Sequence, residues 1–377
     1  MSELSLYIHI PFCRSKCGYC SFTSFANRDR DIPIYIEVLI KEITLTHRPG
    51  VSVKTIYFGG GTPSILSYID IRTILQTIHE CYTIETGAEV TFEANPGTVD
   101  SQYLLSLRDL GINRLSLGVQ SLDDAELAEL GRCHSVSEAR TAVREARQAG
   151  FNNLSLDFIY GLPGRQIRGW EFMLNEIVEL DVEHLSLYGL TLEPDTPLGI
   201  ALGRGEYPAA DPDQAATEYE MASAKLEAAG YRHYEISNWA RPGYESRHNT
   251  VYWQRGEYLG LGVAAHSFIG GQRIGNTPDL NSYIKSLSAG DLPARDVEVI
   301  GDGAALSEAM FLRLRLEEGV SLDDTGWQFS IDLRSRYAAE ITELSGLGLV
   351  EVSADRLRLT PRGRLLGNEV FIRFLPS

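Results

Sequence analysis

The 377-residue chain is 44% hydrophobic and 23% charged, enough for a large core with a smaller one beside it; 51 acidic against 34 basic side chains leave a net charge of -17. That balance argues against a nucleic-acid partner, which needs a sustained basic face. No apolar run reaches the roughly 18 residues of a membrane span, and Leu4 to Phe12 lacks the basic leader of an export signal, so the expected location is cytoplasmic.

Leu4 to Ile10 reads as a first strand, and Cys13, Cys17 and Cys20 follow it at once. Their spacing wraps a short loop around one point and suits three corners of an iron-sulfur cube, with the fourth iron open to an outside ligand. Zinc would need a fourth nitrogen or sulfur donor, and no second cysteine pair stands ready to give one. Cys81 lies in an amphipathic stretch and Cys133 in Gly131-Arg132-Cys133-His134, where a buried or loop role is the simpler reading. A structural disulfide suits neither the odd count of 5 cysteines nor the expected compartment.

Further strand-like runs follow at Val53 to Phe58, Glu89 to Glu93, Arg114 to Val119, Asn153 to Phe158 and His184 to Leu190. Helical patterns lie between them, at Ile34 to Thr46, Ile65 to Tyr82, Ser101 to Leu110, Ser137 to Ala149 and Trp170 to Leu180. Repeated strand-helix units form a parallel sheet covered by helices, and six in a right-handed series curve into most of a barrel. The expected fold class is therefore α/β, a partial (β/α)6 barrel over residues 1–195, with residues 196–295 as an extension that links it to the rest. From about residue 296, Leu306, Met310 and Leu314 recur at helical spacing, and a hairpin pattern leads to Thr360-Pro361-Arg362-Gly363. This reads as a small helical, winged-helix-like domain over 296–377. Acidic residues break up its arginines, so it is expected to act as a lid or partner-contact module and not on DNA.

Function in such a barrel belongs at the carboxyl ends of the strands. The cysteine loop ends the first strand there, Gly59-Gly60-Gly61-Thr62-Pro63-Ser64 the second, and Glu93-Ala94-Asn95-Pro96-Gly97 the third. Gln120-Ser121, then Asp157 with Gly161 to Gly164, then Tyr188 with Glu193 complete the rim. The glycine triplet is neither a phosphate loop nor a dinucleotide fingerprint. Alone it is a tight turn; beside an open cluster its bare backbone is a seat for an amino-acid-like group. Glu93 and Asp157 are helix-capping acids if taken singly, and ligand contacts if they share the rim.

The triplet Cys13-x3-Cys17-x2-Cys20, with Tyr19 before its last cysteine and Tyr7 to Phe12 before its first, resembles the radical S-adenosylmethionine family. Within that family it is similar to the oxygen-independent coproporphyrinogen III oxidase-like group. Gly59 to Ser64, Glu93 to Pro96, Leu117 to Ser121, Asp157 to Gly164 and Gly262 to His266 match that group in order, so the resemblance covers nearly the whole chain. It implies a radical-SAM barrel carrying a 4Fe-4S cluster on Cys13, Cys17 and Cys20. The open iron would take the amino and carboxylate groups of S-adenosylmethionine, whose one-electron cleavage yields a 5′-deoxyadenosyl radical. By the same resemblance Tyr7, Gly60 and Glu93 contact this S-adenosylmethionine. Tyr19, Gly61, Thr62, Gln120, Arg132 and Asp157 match the positions that hold a second one.

Two features depart from the oxidase itself. Phe22 stands where the oxidase has a further cysteine, and only twelve residues precede Cys13 where the oxidase has a long amino-terminal segment. Both point away from decarboxylation of coproporphyrinogen and toward the haem-chaperone branch of the group, with the oxidase or dehydrogenase as the alternative and a purely structural cluster as a third reading. The branch's His-Asn-x-x-Tyr-Trp motif stands as His248-Asn249-Thr250-Val251-Tyr252-Trp253. An imidazole suits haem iron, and two aromatics suit a flat macrocycle. On the residues alone such a histidine is more often hydrogen-bonded in a core; the resemblance makes His248, Asn249, Tyr252 and Trp253 the haem contacts. His266 reads as structural or pocket-lining. The branch implies haem as a bound group, an apo-haemoprotein acceptor such as one of the respiratory chain, and a reductant such as flavodoxin or ferredoxin. A homodimer is compatible with it.

Overall fold

A computed structural model of the chain describes residues 3–376. Six parallel strands form its centre: β1 (Glu3–Ile10), β2 (Ser52–Gly60), β3 (Thr83–Ala94), β4 (Arg114–Gln120), β5 (Leu154–Tyr160) and β6 (His184–Gly189), each paired with the next. The helices between them include α1 (Ile32–Leu45), α2 (Tyr68–Cys81), α3 (Ser101–Asp109), α4 (Asp124–Glu129), α5 (Val136–Gln148) and α6 (Ile167–Glu179). Local chemistry sets where they begin. Ser67 with Asp70 and Ser135 with Glu138 form capping boxes at the starts of α2 and α5, each satisfying two otherwise orphaned backbone donors. Behind each cap an apolar stripe is buried, Ile71, Ile74, Leu75 and Ile78 on α2 and Ala139, Ala142, Val143 and Ala146 on α5.

The region expected to link two domains instead adds strands to both edges of this sheet. After α7 (Pro197–Gly203) and the 17-residue α8 (Pro212–Ala228), β7 (Arg232–Glu235) and β8 (Asn238–Ala240) form a hairpin whose β8 pairs antiparallel with β6. After α9 (Arg247–Trp253), β9 (Tyr258–Leu261) lies parallel to β1 on its far side, a seventh parallel strand. β10 (His266–Ile269), β11 (Gln272–Asn276) and β12 (Arg295–Val299) continue that edge antiparallel, making a 12-stranded sheet in the order β12-β11-β10-β9-β1-β2-β3-β4-β5-β6-β8-β7. Its two ends are not hydrogen-bonded to each other, so the barrel is partial. The α8 pattern escapes sequence reading because its apolar residues, Tyr219, Ala222 and Leu226, are sparse among charged ones.

One hydrophobic core runs from Leu4 to Leu287, so the extension shares the barrel's interior. A second core, with Leu306, Met310 and Leu314 among its members, unites the last part of the chain. There α10 (Asp302–Arg313) and shorter helices pack on a three-stranded sheet built from Val320–Ser321, Arg356–Leu359 and Val350–Ser353, the helices-plus-hairpin arrangement that the sequence pattern suggests. Among the described residues no helix is long and apolar enough to cross a membrane.

Glu42 fastens α1 to the late-joining edge. This fully buried carboxylate accepts from the Gly262 N–H (2.7 Å), the Tyr283 hydroxyl (2.6 Å) and Asn276 Nδ2 (2.7 Å), with Arg295 at 3.5 Å. Burial pushes its carboxyl up, and those bonds work against the shift. Glu42→Leu would leave these donors buried without an acceptor. It is expected to lower the unfolding free energy in urea titrations by about 3 kcal/mol or more; an unchanged midpoint would show that the network adds nothing to stability.

Candidate cluster and ligand site

The loop after β1 is closed at its base. Phe12–Cys13 pairs in parallel with Phe25–Ala26, and the Phe25 N–H donates to the Pro11 carbonyl at 2.6 Å, so the segment between projects as one unit. Inside it the Cys20 N–H reaches the Cys17 carbonyl (3.2 Å) and Lys16 Nζ the Phe22 carbonyl (3.1 Å). From outside, the Gly18 carbonyl accepts the Leu198 N–H at 2.8 Å, which ties the loop to α7. Gly61 closes against the same loop: its N–H donates to the Ile10 carbonyl at 2.8 Å, and a Cβ there would lie 2.6 Å from the Phe12 carbonyl oxygen and 3.0 Å from Cys13 Sγ. The glycine triplet therefore packs on the cysteine loop as well as turning the chain.

Side chains from the ends of β2 and β3 and from the loop after α4 join two of the cysteines. Arg132 Nη1 donates to Cys17 Sγ (3.4 Å), while Nη2 donates to Asn95 Oδ1 (2.5 Å) and the Gly118 carbonyl (2.7 Å). Asn95 Nδ2 donates to Thr62 Oγ1 (3.0 Å), and the Thr62 hydroxyl donates to Cys13 Sγ (3.6 Å). Sequence reasoning places Asn95 on the rim without a role of its own; only the fold reveals the bridge between Thr62 and Arg132. Arg132 Nε is buried with no partner among the described residues.

A cavity of about 460 Å³ opens from the cysteine loop down the barrel axis. Cys13, Cys17, Cys20, Tyr19, Gly60, Gly61, Thr62, Glu93, Gln120, Arg132 and Asp157 all line it. Tyr7 stands behind this wall, its hydroxyl 3.0 Å from His9 Nδ1 and its ring against Tyr57. Gln120 takes a left-handed backbone (φ 72°) at a register shift between β4 and β5, a strained conformation for a residue with a side chain. Among the described residues no three His, Cys, Asp or Glu side chains gather closely enough for a single metal ion.

Two acids share the cavity. Glu93 accepts from the Tyr57 hydroxyl at 2.6 Å; burial pushes its carboxyl up to about 7, with that bond opposing and Asp157 adding repulsion. Asp157, held by the Ser116 hydroxyl at 3.3 Å from each oxygen, is raised by burial to about 6. Carboxyls that resist ionising make a seat for a cation, whose charge lowers the free energy of ionising both.

The His-Asn-x-x-Tyr-Trp motif forms α9, which Ser246 caps by accepting the Asn249 N–H at 3.3 Å. His248 is enclosed: Nδ1 lies 2.7 Å from Thr55 Oγ1, Nε2 lies 2.7 Å from the Tyr252 hydroxyl, and its ring stacks on Tyr57 at 4.9 Å. Burial drops its basicity to about 3. Both ring nitrogens of His248 are thus engaged in this conformation. Trp253 lies against the Arg315 guanidinium at 4.4 Å, at the junction with the second core. Of the motif, Asn249 alone lines the cavity; His266 is exposed at the start of β10.

Residues 7–177 match the radical SAM superfamily and residues 304–366 the HemN C-terminal domain. The protein named heme chaperone HemW from Bacillus subtilis is 36% identical over 374 residues, spanning 98% of this chain and 99% of its own. The chain belongs to the radical SAM superfamily. Within that superfamily it falls in the HemW group, for the Mycobacterium tuberculosis protein of that name is 37% identical over 372 residues, 97% of this chain and 93% of its own. The solved structure of coproporphyrinogen III oxidase (HemN) from Escherichia coli, described as a radical SAM enzyme, superposes with a TM-score of 0.86 at 25% identity, over 99% of this chain and 90% of its own. The expected radical-SAM α/β fold is thus met, with a seventh parallel strand beyond the six.

In this radical SAM chain folding raises Glu93 above its ordinary value of 4.5 to about 7, so the folded state holds that proton more tightly than the unfolded chain does. The resulting stabilisation is full below the lower value and is lost as pH rises through the upper one. Glu93→Gln keeps a neutral side chain at every pH. In ligand-free protein it is expected to match the wild type in urea stability near pH ~5 and to exceed it near pH ~8; a pH-independent difference would contradict the buried-acid account.

Proposed function

We propose that the protein is a haem chaperone. It carries a 4Fe-4S cluster and S-adenosylmethionine, binds haem and passes it to an apo-haemoprotein. The observation that carries this reading is the likeness to proteins named heme chaperone HemW, which extends through barrel, extension and C-terminal domain alike. The residues fit the cluster: three thiols line one wall, Gly61 leaves their loop room where a Cβ would collide, and the guanidinium of Arg132 faces Cys17 Sγ with a further N–H to give. A cube held by three thiolates is anionic overall, and a buried cation beside it offsets that charge. When bound, the cluster supplies one-electron chemistry.

The chain's own residues bind and orient. Tyr7, Gly60 and Glu93 form the seat for a first S-adenosylmethionine, with Glu93 and Asp157 answering its cationic groups. Tyr19, Gly61, Thr62, Gln120, Arg132 and Asp157 are the contacts for a second. Phe22 and Tyr188, both exposed and both lining the cavity, offer flat apolar surface at its mouth for a macrocycle. Asn249 reaches the same cavity; His248, Tyr252 and Trp253 contact haem only if α9 gives up its present bonds. The proposal includes a flavodoxin or ferredoxin reductant, an acceptor such as a respiratory-chain haemoprotein, a cytoplasmic setting, and barrel, extension and C-terminal units divided near residues 195 and 295.

The alternative, oxidative decarboxylation of coproporphyrinogen III, draws on the TM-score of 0.86 with the Escherichia coli oxidase. Anaerobically purified protein tests the two readings. Haem addition is expected to produce a bound-haem absorption spectrum and transfer to an apo-haemoprotein, with no carbon dioxide released from coproporphyrinogen; turnover of that porphyrinogen would overturn the chaperone reading. Cys17→Ala is expected to lose bound iron and sulfide, since two thiolates do not retain the cube. For His248→Ala the enclosed imidazole implies a fall in unfolding free energy of about 2 kcal/mol, read in urea, with cluster absorption intact at low denaturant.

A further inference from the structure

The floor of the barrel holds a charge that no carboxylate touches, although Asp157 feels it from a distance. Arg114, the first residue of β4, lines the cavity at 2% exposure, and among the described residues it forms no ion pair. The comparably buried Arg165 pairs with both Glu126 and Glu218. The bonds of Arg114 among the described residues run from Nη1, to Asn153 Oδ1 at 2.6 Å and the Tyr244 carbonyl at 3.1 Å. Beside it in register on β3 is Thr91, at 0% exposure, whose hydroxyl has no partner among the described residues and which lines the same cavity. Asn249 enters that space from α9. A buried cation with no carboxylate in contact and a buried hydroxyl without a partner are each unfavourable, and one anion relieves both.

We propose that Arg114, Thr91 and Asn249 form a carboxylate-binding subsite at the cavity floor, apart from the cluster rim, which takes the carboxylate arm of a molecule lodged in the barrel. The planar guanidinium fork matches a carboxylate through paired hydrogen bonds, and a hydroxyl and a carboxamide supply the remaining donors. Charge selects among anions. Glu93 lies two residues further along β3 from Thr91, and Asp157 pairs in register with Gly118 on β4, so a monoanion meets less repulsion here than a phosphate dianion. The proposed function names two carriers of such a group, haem through its propionates and the second S-adenosylmethionine, whose amino-acid end the cluster iron does not take. The subsite rests on that reading for the identity of its ligand alone.

Equilibrium titrations of the cluster-loaded full chain under anaerobic conditions decide it. Wild type, Arg114→Gln and Thr91→Val are compared on haem against haem with both propionates esterified, and on S-adenosylmethionine against its decarboxylated analogue. Arg114→Gln is expected to weaken one free-carboxylate probe by about tenfold or more while leaving the blocked form of that probe unchanged, and Thr91→Val to weaken the same probe by about threefold. Selective loss with haem assigns the propionate; selective loss with S-adenosylmethionine assigns the amino-acid carboxylate. Equal affinities in wild type and variants, or equal losses for free and blocked forms, overturn the subsite. Should wild type bind no haem, the chaperone reading falls while the S-adenosylmethionine pair still decides the subsite. If Arg114→Gln fails to load the cluster or loses its native circular dichroism, Thr91→Val decides alone by the same criterion.

Discussion

The hydrogen-bonded arc from Cys13 through Thr62, Asn95 and Arg132 to Cys17 is the constraint on which the rest of the site depends. Its members follow different strands, so it closes only when β1 to β4 are in register; a slip of one residue in any strand would turn the contributing side chain to the other face. The arc also ties the acid-lined cavity to the cysteine loop, because Asn95 lies two residues beyond Glu93. The geometry of the cysteine loop and the register of the sheet are thus one problem in this chain.

The interior of the sheet explains why there is a cavity at all. Closed barrels of this kind fill their centres with branched apolar side chains. Here the inward positions carry Thr91 and Glu93 on β3, Arg114 and Ser116 on β4, Ser155 and Asp157 on β5, and His184 and Ser186 on β6, all lining the cavity. The apolar residues that alternate with them, such as Phe92, Leu115, Leu156 and Leu185, face the helices and make the core. Stability therefore resides in the outer layer, which leaves the inner face available for polar ligands. The enclosed His248, bonded to Thr55 and Tyr252, belongs to the structural part of that inner face.

Much of this was legible in the sequence because its signals are local. Strand-helix alternation placed six central strands and five of the helices between them, β3 alone beginning six residues early, and the cysteine spacing, the glycine triplet and the acids at strand ends fall on the rim they are expected to share. What stayed hidden depends on contacts between distant segments. β9 is four residues long, and nothing in Tyr258–Leu261 states that its partner is the first strand of the chain. The motif containing His248 advertises ligand chemistry, yet Thr55, which engages its Nδ1, lies 193 residues earlier. Asn95 is on the rim by sequence, but its bridging role depends on Thr62 and Arg132 from other segments. Arg114 read as the first residue of a strand, and the missing carboxylate contact that sets it apart is visible only once its neighbours are known.

The pairing of β9 with β1 carries a consequence for biosynthesis. The strand that leads into the cysteine loop leaves the ribosome well before its outer edge is completed, by residues made about 250 positions later, a delay of tens of seconds at ordinary translation speeds. During that interval the nascent chain has an unpaired edge beside its thiols, an arrangement open to both aggregation and oxidation. The order is fixed by the chain: the cysteine loop has its full support only after residues 258–261 exist, long after the thiols themselves are made.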